Sequence, residues 1–106
     1  ELGRANIAPY TTAKGGLKML TKSMAVEWAK DNVQVNGIGP GYFLTEMNTA
    51  LVEDEKFNNW VCNRTPAGRW GDPDELAGAA VFLASQASHY VNGQVIYVDG
   101  GFLSSM

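Results

Sequence analysis

The order of the predicted elements, helix then strand and again helix then strand, constrains the fold of this chain most. A helical pattern runs from residue 9 to about residue 30, and a short β-branched segment at residues 33–38 follows it. A second helix is predicted from Pro73 to near Ser85, and residues 94–98 form the second strand. A helix that leads into a strand after a few residues is half of a β-α-β unit. We therefore predict an α/β fold with parallel strands.

Two strands make a small sheet for such a fold. Parallel sheets are normally covered on both faces, and two strands are a poor core. The 106 residues are the size of one small domain, and they contain no internal repeat and no low-complexity segment. We therefore expect that this chain does not fold stably alone.

The first predicted helix carries one apolar stripe and one unfavourable pair of glycines. The members of the stripe, three or four residues apart, are Ala13, Leu17, Leu20, Met24 and Trp28. Gly15 and Gly16 each cost about 1 kcal/mol relative to alanine inside a helix. We predict that another backbone, a cofactor or a facing helix approaches this pair closely. A tolerated weak spot in the helix is the alternative.

The first predicted strand leads into Gly39, Pro40 and Gly41, which we interpret as a turn at its carboxyl end. Parallel α/β sheets bind their ligands at the carboxyl ends of the strands. Thr45 follows at hydrogen-bonding reach of a ligand at this place. Residues 45–61 mix apolar and polar side chains, and we predict two short helices there. Residues 65–71 read as a loop.

The second predicted helix has a strong start signal. Asp72 is the predicted N-cap, Pro73 takes the first helical position, and Glu75 at the third position completes a reciprocal capping bond. The last strand is rich in β-branched residues, and the D-G-G sequence at residues 99–101 ends it. Both ends of this second helix–strand unit are therefore marked in the sequence.

Composition excludes several classes of function. The net charge is −3 and the eight basic residues are scattered, which argues against a nucleic-acid partner. An uninterrupted apolar run of about 18 residues, which a membrane-spanning helix needs, does not occur. Cys62 and His89 are the only residues of their types, so no metal-ligand spacing exists, and we interpret His89 as structural or solvated. One unpaired thiol fits a cytoplasmic location.

Tyr10 and Lys14 lie one helical turn apart, so they share a helix face. A free tyrosine titrates near pH 10, which is too high for a general base at neutral pH. A neighbouring cation favours the phenolate and lowers the tyrosine pKa by about one to three. The spacing therefore indicates a proton-transfer pair. An ordinary surface pair at this spacing is the alternative.

Five segments resemble, in order and spacing, the C-terminal part of the short-chain dehydrogenases/reductases. They are Y-T-T-A-K from residue 10, V-Q-V-N-G-I-G-P-G from residue 33, Y-F-L-T-E-M from residue 42, R-W-G-D-P-D-E-L-A from residue 69 and N-G-Q-V-I-Y-V-D-G-G from residue 92. Within the family, the stretches G-P-G-Y-F-L-T-E-M-N from residue 39 and N-G-Q-V-I-Y-V-D-G-G from residue 92 are most similar to gluconate 5-dehydrogenases. The 3-oxoacyl-carrier-protein reductases share most of the five segments. The resemblance implies that residues 1–106 form the C-terminal portion of one Rossmann-like, doubly wound parallel-sheet domain.

The resemblance implies a role for each matching position of the first helix. Tyr10 would be the catalytic acid/base that exchanges the hydroxyl proton of the substrate. Lys14 would lower the tyrosine pKa and hydrogen-bond the nicotinamide ribose. Both residues would thus be catalytic and cofactor-binding.

The resemblance also assigns the residues after the first strand to the cofactor, NAD or NADP. Pro40 and Gly41 would shape the nicotinamide pocket, the backbone of Phe43 would hold the carboxamide, and Thr45 would contact carboxamide or phosphate. Residues from about 45 to 65 would be a substrate lid. For Tyr42, plain packing and substrate contact stay open as alternatives, as they do for Met47 and Trp60.

The family's other functional parts would lie ahead of Tyr10: the glycine-rich diphosphate turn, the residue that chooses between NAD and NADP, an asparagine and the catalytic serine. We expect that this chain is a cut from a longer protein and is inactive alone.

The expected reaction is hydride transfer between NAD(P) and a small secondary alcohol or ketone, with gluconate and 5-ketogluconate as the expected pair. The alternatives are a 3-oxoacyl-carrier-protein reductase and an inactive truncated fragment that acts as an assembly module. A homo-oligomer, dimer or tetramer, is expected.

Overall fold

A computed structural model describes residues 8–105 of the chain, with the side chains of Tyr10 and Thr11 outside the description. The elements follow in the order α1, Ala8–Trp28; β1, Gly37–Pro40; α2, Thr49–Glu53; α3, Glu55–Arg64; α4, Pro73–Leu83; and β2, Val95–Val98. The predicted α/β alternation is confirmed, and β1 pairs with β2 in a two-stranded sheet. Within the described part of the chain, no helix is both long enough and apolar enough to cross a membrane.

The chain divides into two compact units, and each strand contributes residues to both. The first unit comprises the described residues up to Ile38 together with Phe82–Ile96, and the second comprises Gly39–Val81 and the residues from Tyr97 onward. In the first unit the Gly37 N–H donates to the Gln94 carbonyl at 2.8 Å. In the second unit the Gly41 N–H donates to the Val98 carbonyl at 3.0 Å. Both bonds advance equally along the two strands, as parallel pairing requires.

The first strand begins later than residues 33–38 predict, because asparagine side chains accept backbone N–H groups directly before each of the two strands. The Val35 N–H donates to Asn92 Oδ1 at 2.9 Å, and the Gln94 N–H donates to Asn36 Oδ1 at 3.0 Å. These side chains take the place of the regular ladder before Gly37. The predicted strand start is therefore wrong by four residues.

The predicted turn at Gly39, Pro40 and Gly41 is also wrong for its first two residues. Gly39 and Pro40 are the last two residues of β1. A methyl group added at Gly39 would lie 2.5 Å from a ring carbon of Tyr97. This glycine therefore serves the close approach of the neighbouring side chain rather than a change of chain direction.

In the first unit, α1 is buried through small residues, and its apolar stripe is exposed. Thr21 and Ala25 are the buried residues of α1, and the Thr21 hydroxyl donates to the Leu17 carbonyl at 2.9 Å. Leu17 and Leu20 of the predicted stripe are each about half exposed. For Gly15 and Gly16, no described atom lies within 4 Å of an added methyl group. The described chain itself therefore does not supply the close neighbour predicted for this glycine pair.

In the second unit, the start of α4 matches its prediction. The Asp74 N–H donates to Asp72 Oδ1 at 3.0 Å, and the Asp72 N–H donates back to Glu75 Oε1 at 2.9 Å. This reciprocal pair satisfies two backbone donors that have no partner within the helix. The helix ends at Leu83, two residues before the predicted Ser85.

The D-G-G sequence after β2 forms a tight turn closed by its aspartate. Gly100 and Gly101 have φ values of 64° and 92°, a region that favours glycine. The two carboxylate oxygens of Asp99 accept from the N–H groups of Gly101 and Leu103, at 2.9 and 3.1 Å. The predicted strand end is confirmed, and Asp99 holds the short 3₁₀ turn Phe102–Ser104 against it.

Candidate functional site

The first group of predicted site residues lies near the start of α1. Tyr10 and Lys14 both belong to this helix, one turn apart. The Lys14 side chain is exposed, and the Tyr10 side chain is outside the description. The backbone therefore has the spacing that the pair needs, while the placement of phenol against ammonium stays a prediction.

The second group lies at the carboxyl end of β1. Pro40 is the last residue of the strand and is exposed. A methyl group added at Gly41 would lie 2.7 Å from Asp99 Cα and 2.8 Å from Asp99 Cβ. Gly41 thus lets the backbone after β1 pass directly beside the end of β2, and any side chain here would push the two apart.

Phe43 is fixed by its own backbone and by a buried ring. The Gly71 N–H donates to the Tyr42 carbonyl at 2.8 Å and the Leu44 N–H to the Gly71 carbonyl at 2.9 Å, which makes a parallel bridge around Phe43. Phe43 as a whole residue is 6% exposed, and its carbonyl accepts from Asn48 Nδ2 at 2.8 Å. The buried ring and this hydrogen bond fix the backbone of Phe43 in place.

Thr45 presents its hydroxyl at the start of the next segment. Its backbone is extended, with φ −121° and ψ 164°, and it precedes the 3₁₀ turn Glu46–Asn48. The residue is exposed, and its side chain makes no capping hydrogen bond to that turn. A threonine directly before a helical turn often caps the turn with its hydroxyl, but the Thr45 hydroxyl does not.

The segment after Thr45 contains the two predicted short helices, and the first of them is lightly packed. No residue of α2 is buried, whereas Val61 of α3 is buried. Asp54 caps α3, since its carboxylate accepts from the Phe57 N–H at 3.1 Å. Met47, which precedes α2, is 93% exposed. The residues up to the end of α2 therefore have few interactions that hold them in one position.

Five aromatic rings pack together beside this segment, a feature that the sequence did not lead us to predict. The rings of Phe57, Trp60, Trp70 and Phe102 have centroids 5.6 to 6.0 Å from that of Tyr42, each at a steep angle. Edge-to-face pairs of this kind stabilise a core beyond the area that they bury. For Tyr42 the structure supports the packing alternative. The spacing of Phe57 and Trp60 on one helix face was the only local signal for this cluster.

An ion pair near the start of α4 was also missed. Arg69 Nη1 and Nη2 donate to the two carboxylate oxygens of Glu75 at 2.7 and 2.8 Å. The hydrogen bond from Arg69, followed by the one from the Asp72 backbone, lowers the pKa of Glu75 to about 2. This pair orders the loop before α4. Among the described residues, no three His, Cys, Asp or Glu side chains form a group that could hold a metal ion.

Comparison with known proteins assigns the family. Residues 1–103 match a family model described as enoyl-(acyl carrier protein) reductase. The chain is 65% identical over 103 residues to a 5-keto-D-gluconate 5-reductase of Escherichia coli, a match that covers 97% of this chain and 41% of that protein. It is 59% identical over 106 residues to a gluconate 5-dehydrogenase of Gluconobacter oxydans, covering 100% of this chain and 41% of that protein.

A solved structure agrees with this assignment. The gluconate 5-dehydrogenase of Burkholderia cenocepacia, determined in complex with NADP and tartrate, is 58% identical and superposes with a TM-score of 0.93. The match covers 100% of this chain and 42% of that one. The chain thus spans about two fifths of the length of the relatives that it matches, and it has their fold over that part. These 106 residues belong to the short-chain dehydrogenase/reductase family and form part of its Rossmann-like α/β domain.

Proposed function

We propose that the complete protein is an NAD(P)-dependent oxidoreductase that interconverts a secondary alcohol and a ketone, with gluconate and 5-ketogluconate as its substrate pair. The observation that carries this proposal is the 65% identity to a 5-keto-D-gluconate 5-reductase over almost the whole chain. The match spans 41% of that relative. We therefore expect activity from a polypeptide that carries the remaining family parts and none from the 106 residues alone.

In this proposal Tyr10 moves the proton. When an alcohol carbon loses a hydride, its hydroxyl must lose a proton, and the Tyr10 phenolate is the base that takes it. In the reverse direction the phenol returns that proton to the carbonyl oxygen. Lys14, one turn later on α1, supplies the positive charge that favours the phenolate. General acid–base catalysis of this kind contributes about 10²- to 10⁴-fold in rate.

The residues after β1 have the chemistry that a nicotinamide needs. A carbonyl oxygen has two lone pairs, so the Phe43 carbonyl can accept from a carboxamide while it accepts from Asn48. The exposed Thr45 hydroxyl can donate to carboxamide or phosphate. Pro40 and Gly41 would form the wall of the pocket. When bound, NAD(P) supplies the hydride acceptor or donor. Lys14 would hold the ribose hydroxyls.

Residues from about 45 to 65 are the proposed substrate lid. Light packing of α2 supports this role, because a stretch without buried residues can open at little cost. A homo-oligomer, dimer or tetramer, is proposed as well, since the apolar stripe of α1 is half exposed in the described chain. The single cysteine supports a cytoplasmic location.

A second candidate function is favoured by the apolar character of the lid surface. Met47 and Leu51 are exposed on this segment, and Leu44 is exposed directly before it. Apolar side chains suit an acyl chain better than a sugar acid, as in a 3-oxoacyl-carrier-protein reductase. If these side chains line the substrate path, an acyl thioester would gain from their burial.

A substrate panel separates the two candidates. The complete protein would be assayed with gluconate, 5-ketogluconate, other sugar acids and 3-oxoacyl thioesters, each with NAD(H) and NADP(H). The proposal predicts a kcat/KM for gluconate and 5-ketogluconate at least about tenfold above that for any acyl thioester. Turnover of acyl thioesters alone would establish the second candidate. Intact-mass measurement of the purified protein shows whether it exceeds 11.4 kDa.

A further inference from the structure

We propose that Arg64 is a positioning residue that fixes the base of the substrate lid through the C-terminal turn, an inference that rests on the proposed function. Arg64 is the last residue of α3. The amino-terminal end of this helix is held by the Asp54 cap, and Val61 is its buried residue. Aromatic contacts hold the middle of the helix, and Arg64 attaches its carboxyl end.

The Arg64 guanidinium bonds three acceptors that all belong to the C-terminal segment. Nη1 donates to the Phe102 carbonyl at 3.0 Å and to Ser105 Oγ at 2.5 Å, and Nη2 donates to the Ser105 carbonyl at 3.3 Å. Its central carbon also lies 4.4 Å from the centroid of the Phe102 ring. A planar guanidinium can stack its face on a ring while its nitrogens donate hydrogen bonds in the plane. A lysine ammonium also donates hydrogen bonds, but it has no planar face to stack on the ring.

The C-terminal segment that accepts the Arg64 hydrogen bonds is itself held in place. The Phe102 N–H donates to the Asp99 carbonyl at 3.2 Å, and the Leu103 N–H donates to Asp99 Oδ2 at 3.1 Å. Asp99 directly follows β2. The C-terminal turn is thus a fixed point at the end of a strand, and Arg64 ties α3 to it.

The same turn is connected to the residue that follows the proposed nicotinamide pocket. The Phe102 ring lies 5.7 Å from Tyr42 and 5.9 Å from Trp60, measured between centroids. Tyr42 comes directly after Gly41. Contacts therefore run from Arg64 through Phe102 to Tyr42, and they set α3 at a fixed place relative to the cofactor-binding backbone. Misplacing α3 would misplace the lid without changing a group that reacts.

This arrangement predicts a separation of KM from kcat. Arg64 acts through Phe102 and the helix rather than on the substrate, so its loss should weaken lid closure over the substrate. In Arg64→Met the stem is kept and the guanidinium is lost, and we expect the substrate KM to rise about 5- to 30-fold, as for loss of hydrogen bonds from a charged donor. The kcat should stay within about threefold of the parent value.

The test uses the complete protein and four variants. Arg64→Met is compared with Arg64→Lys, which keeps the charge, and with Ser105→Ala, which removes one acceptor and leaves both carbonyls. Lys22→Met is the control, because Lys22 is an exposed cation outside the proposed lid. Hydrogen–deuterium exchange of the α3 amides is measured beside KM and kcat. We expect faster α3 exchange in Arg64→Met, partial effects in Arg64→Lys and Ser105→Ala, and parental behaviour in Lys22→Met.

The outcomes distinguish this inference from the proposed function. Unchanged hydrogen–deuterium exchange of the α3 amides in Arg64→Met would show that Arg64 does not hold α3 in place. Faster exchange with an unchanged KM overturns the role in substrate binding. If the parent protein shows no dehydrogenase activity while α3 exchange responds as expected, the proposed function is wrong. The positioning of α3 by Arg64 is supported in that case.

Discussion

Asn92 donates from its side-chain amide to the Ala25 carbonyl at 3.0 Å, which ties the loop before β2 to the later turns of α1. The same side chain accepts the Val35 N–H through Oδ1 at 2.9 Å. One amide thereby joins three segments of the first unit. Ala25 is buried and has a small side chain, so α1 can lie close to the loop that carries Asn92. The position of α1, and with it of Tyr10 and Lys14, depends on Asn92.

Replacing Asn92 by alanine should therefore lower the free energy of unfolding by about 1–3 kcal/mol, because two backbone partners lose their hydrogen bonds. Asn92→Asp keeps the acceptor and loses the donor to Ala25, so it should also be destabilising. Urea unfolding of the complete protein measures both. Asn63→Ala, on the exposed surface of α3, is the control and should change stability by less than about 0.5 kcal/mol. Equal stability of Asn92→Ala and the parent would show that this bond has no part in holding α1.

Gly41→Ala should destabilise the protein through a backbone clash. The added methyl group would lie 2.7 Å from Asp99 Cα, and neither main chain can give way freely. Overpacking of this kind costs about 1–3 kcal/mol. Gly78→Ala is the matched comparison, since nothing described lies within 4 Å of a methyl group there. In α4 that change should stabilise by up to about 1 kcal/mol, because alanine is the better helix former.

Thermal unfolding of the two glycine variants gives the answer. We expect Gly41→Ala to unfold at a lower temperature than Gly78→Ala. The reverse order would mean that Gly41 and Asp99 are further apart than the structure has them.

The ion pair between Arg69 and Glu75 predicts an acid-dependent loss of stability. Its hydrogen bonds lower the folded-state pKa of Glu75 to about 2, against an ordinary value of 4.5. The unfolded chain therefore binds a proton more readily, and stability rises with pH across this range. The contribution is fully present above pH 4.5 and is lost as the pH falls towards 2.

Urea unfolding between pH 2.5 and 6 would be measured for the parent and for Glu75→Gln, an interval chosen to bracket the ordinary carboxyl pKa of about 4.5. We expect a shallower decline in stability towards acid in Glu75→Gln. Arg69→Gln should give a similarly reduced decline, because it removes the main cause of the lowered pKa. If the free energy of unfolding of both variants depended on pH as it does in the parent, the ion pair between Arg69 and Glu75 would have no effect on stability.

Lys14→Ala should impair both cofactor binding and turnover, because the residue has two proposed roles. Loss of its bonds to the ribose hydroxyls should weaken NAD(P) binding about tenfold. Loss of its charge beside Tyr10 should lower kcat by about 10². Fluorescence titration with NADPH or NADH and steady-state kinetics on the complete protein measure the two effects. Lys22→Ala, on an exposed position later in α1, is the control. A variant with lower kcat and unchanged cofactor affinity would leave Lys14 only its electrostatic role.

Local signals in the sequence predicted the elements well. The Asp72–Glu75 cap and the D-G-G turn depend on neighbouring residues, and both formed as expected. The first strand did not, because its start is decided by Asn92, which lies 57 positions after Val35. A side-chain amide that replaces backbone pairing over such a distance leaves no pattern in the residues beside the strand.

The candidate site divides in the same way. The family segments located Pro40, Gly41, Phe43 and Thr45 at a strand end, and the structure has them there. Tyr42 and the aromatic rings around it come from four separate stretches of chain, so only the fold brings them together. The acceptors of Arg64 likewise lie about 40 positions later in the chain. The sequence pattern could not predict which side chains pair with residues far away in the chain.

In the proposed reaction Tyr10 transfers the proton, and the kcat of Tyr10→Phe in the complete protein measures this role. The change removes one oxygen and keeps the ring, and Tyr90→Phe, at a fully exposed residue, is the control. With gluconate and the preferred cofactor, we expect kcat to fall by about 10³ or more, while the cofactor Kd stays within about threefold. Turnover of gluconate by Tyr10→Phe at nearly the parental rate would show that Tyr10 is not the proton-transfer group.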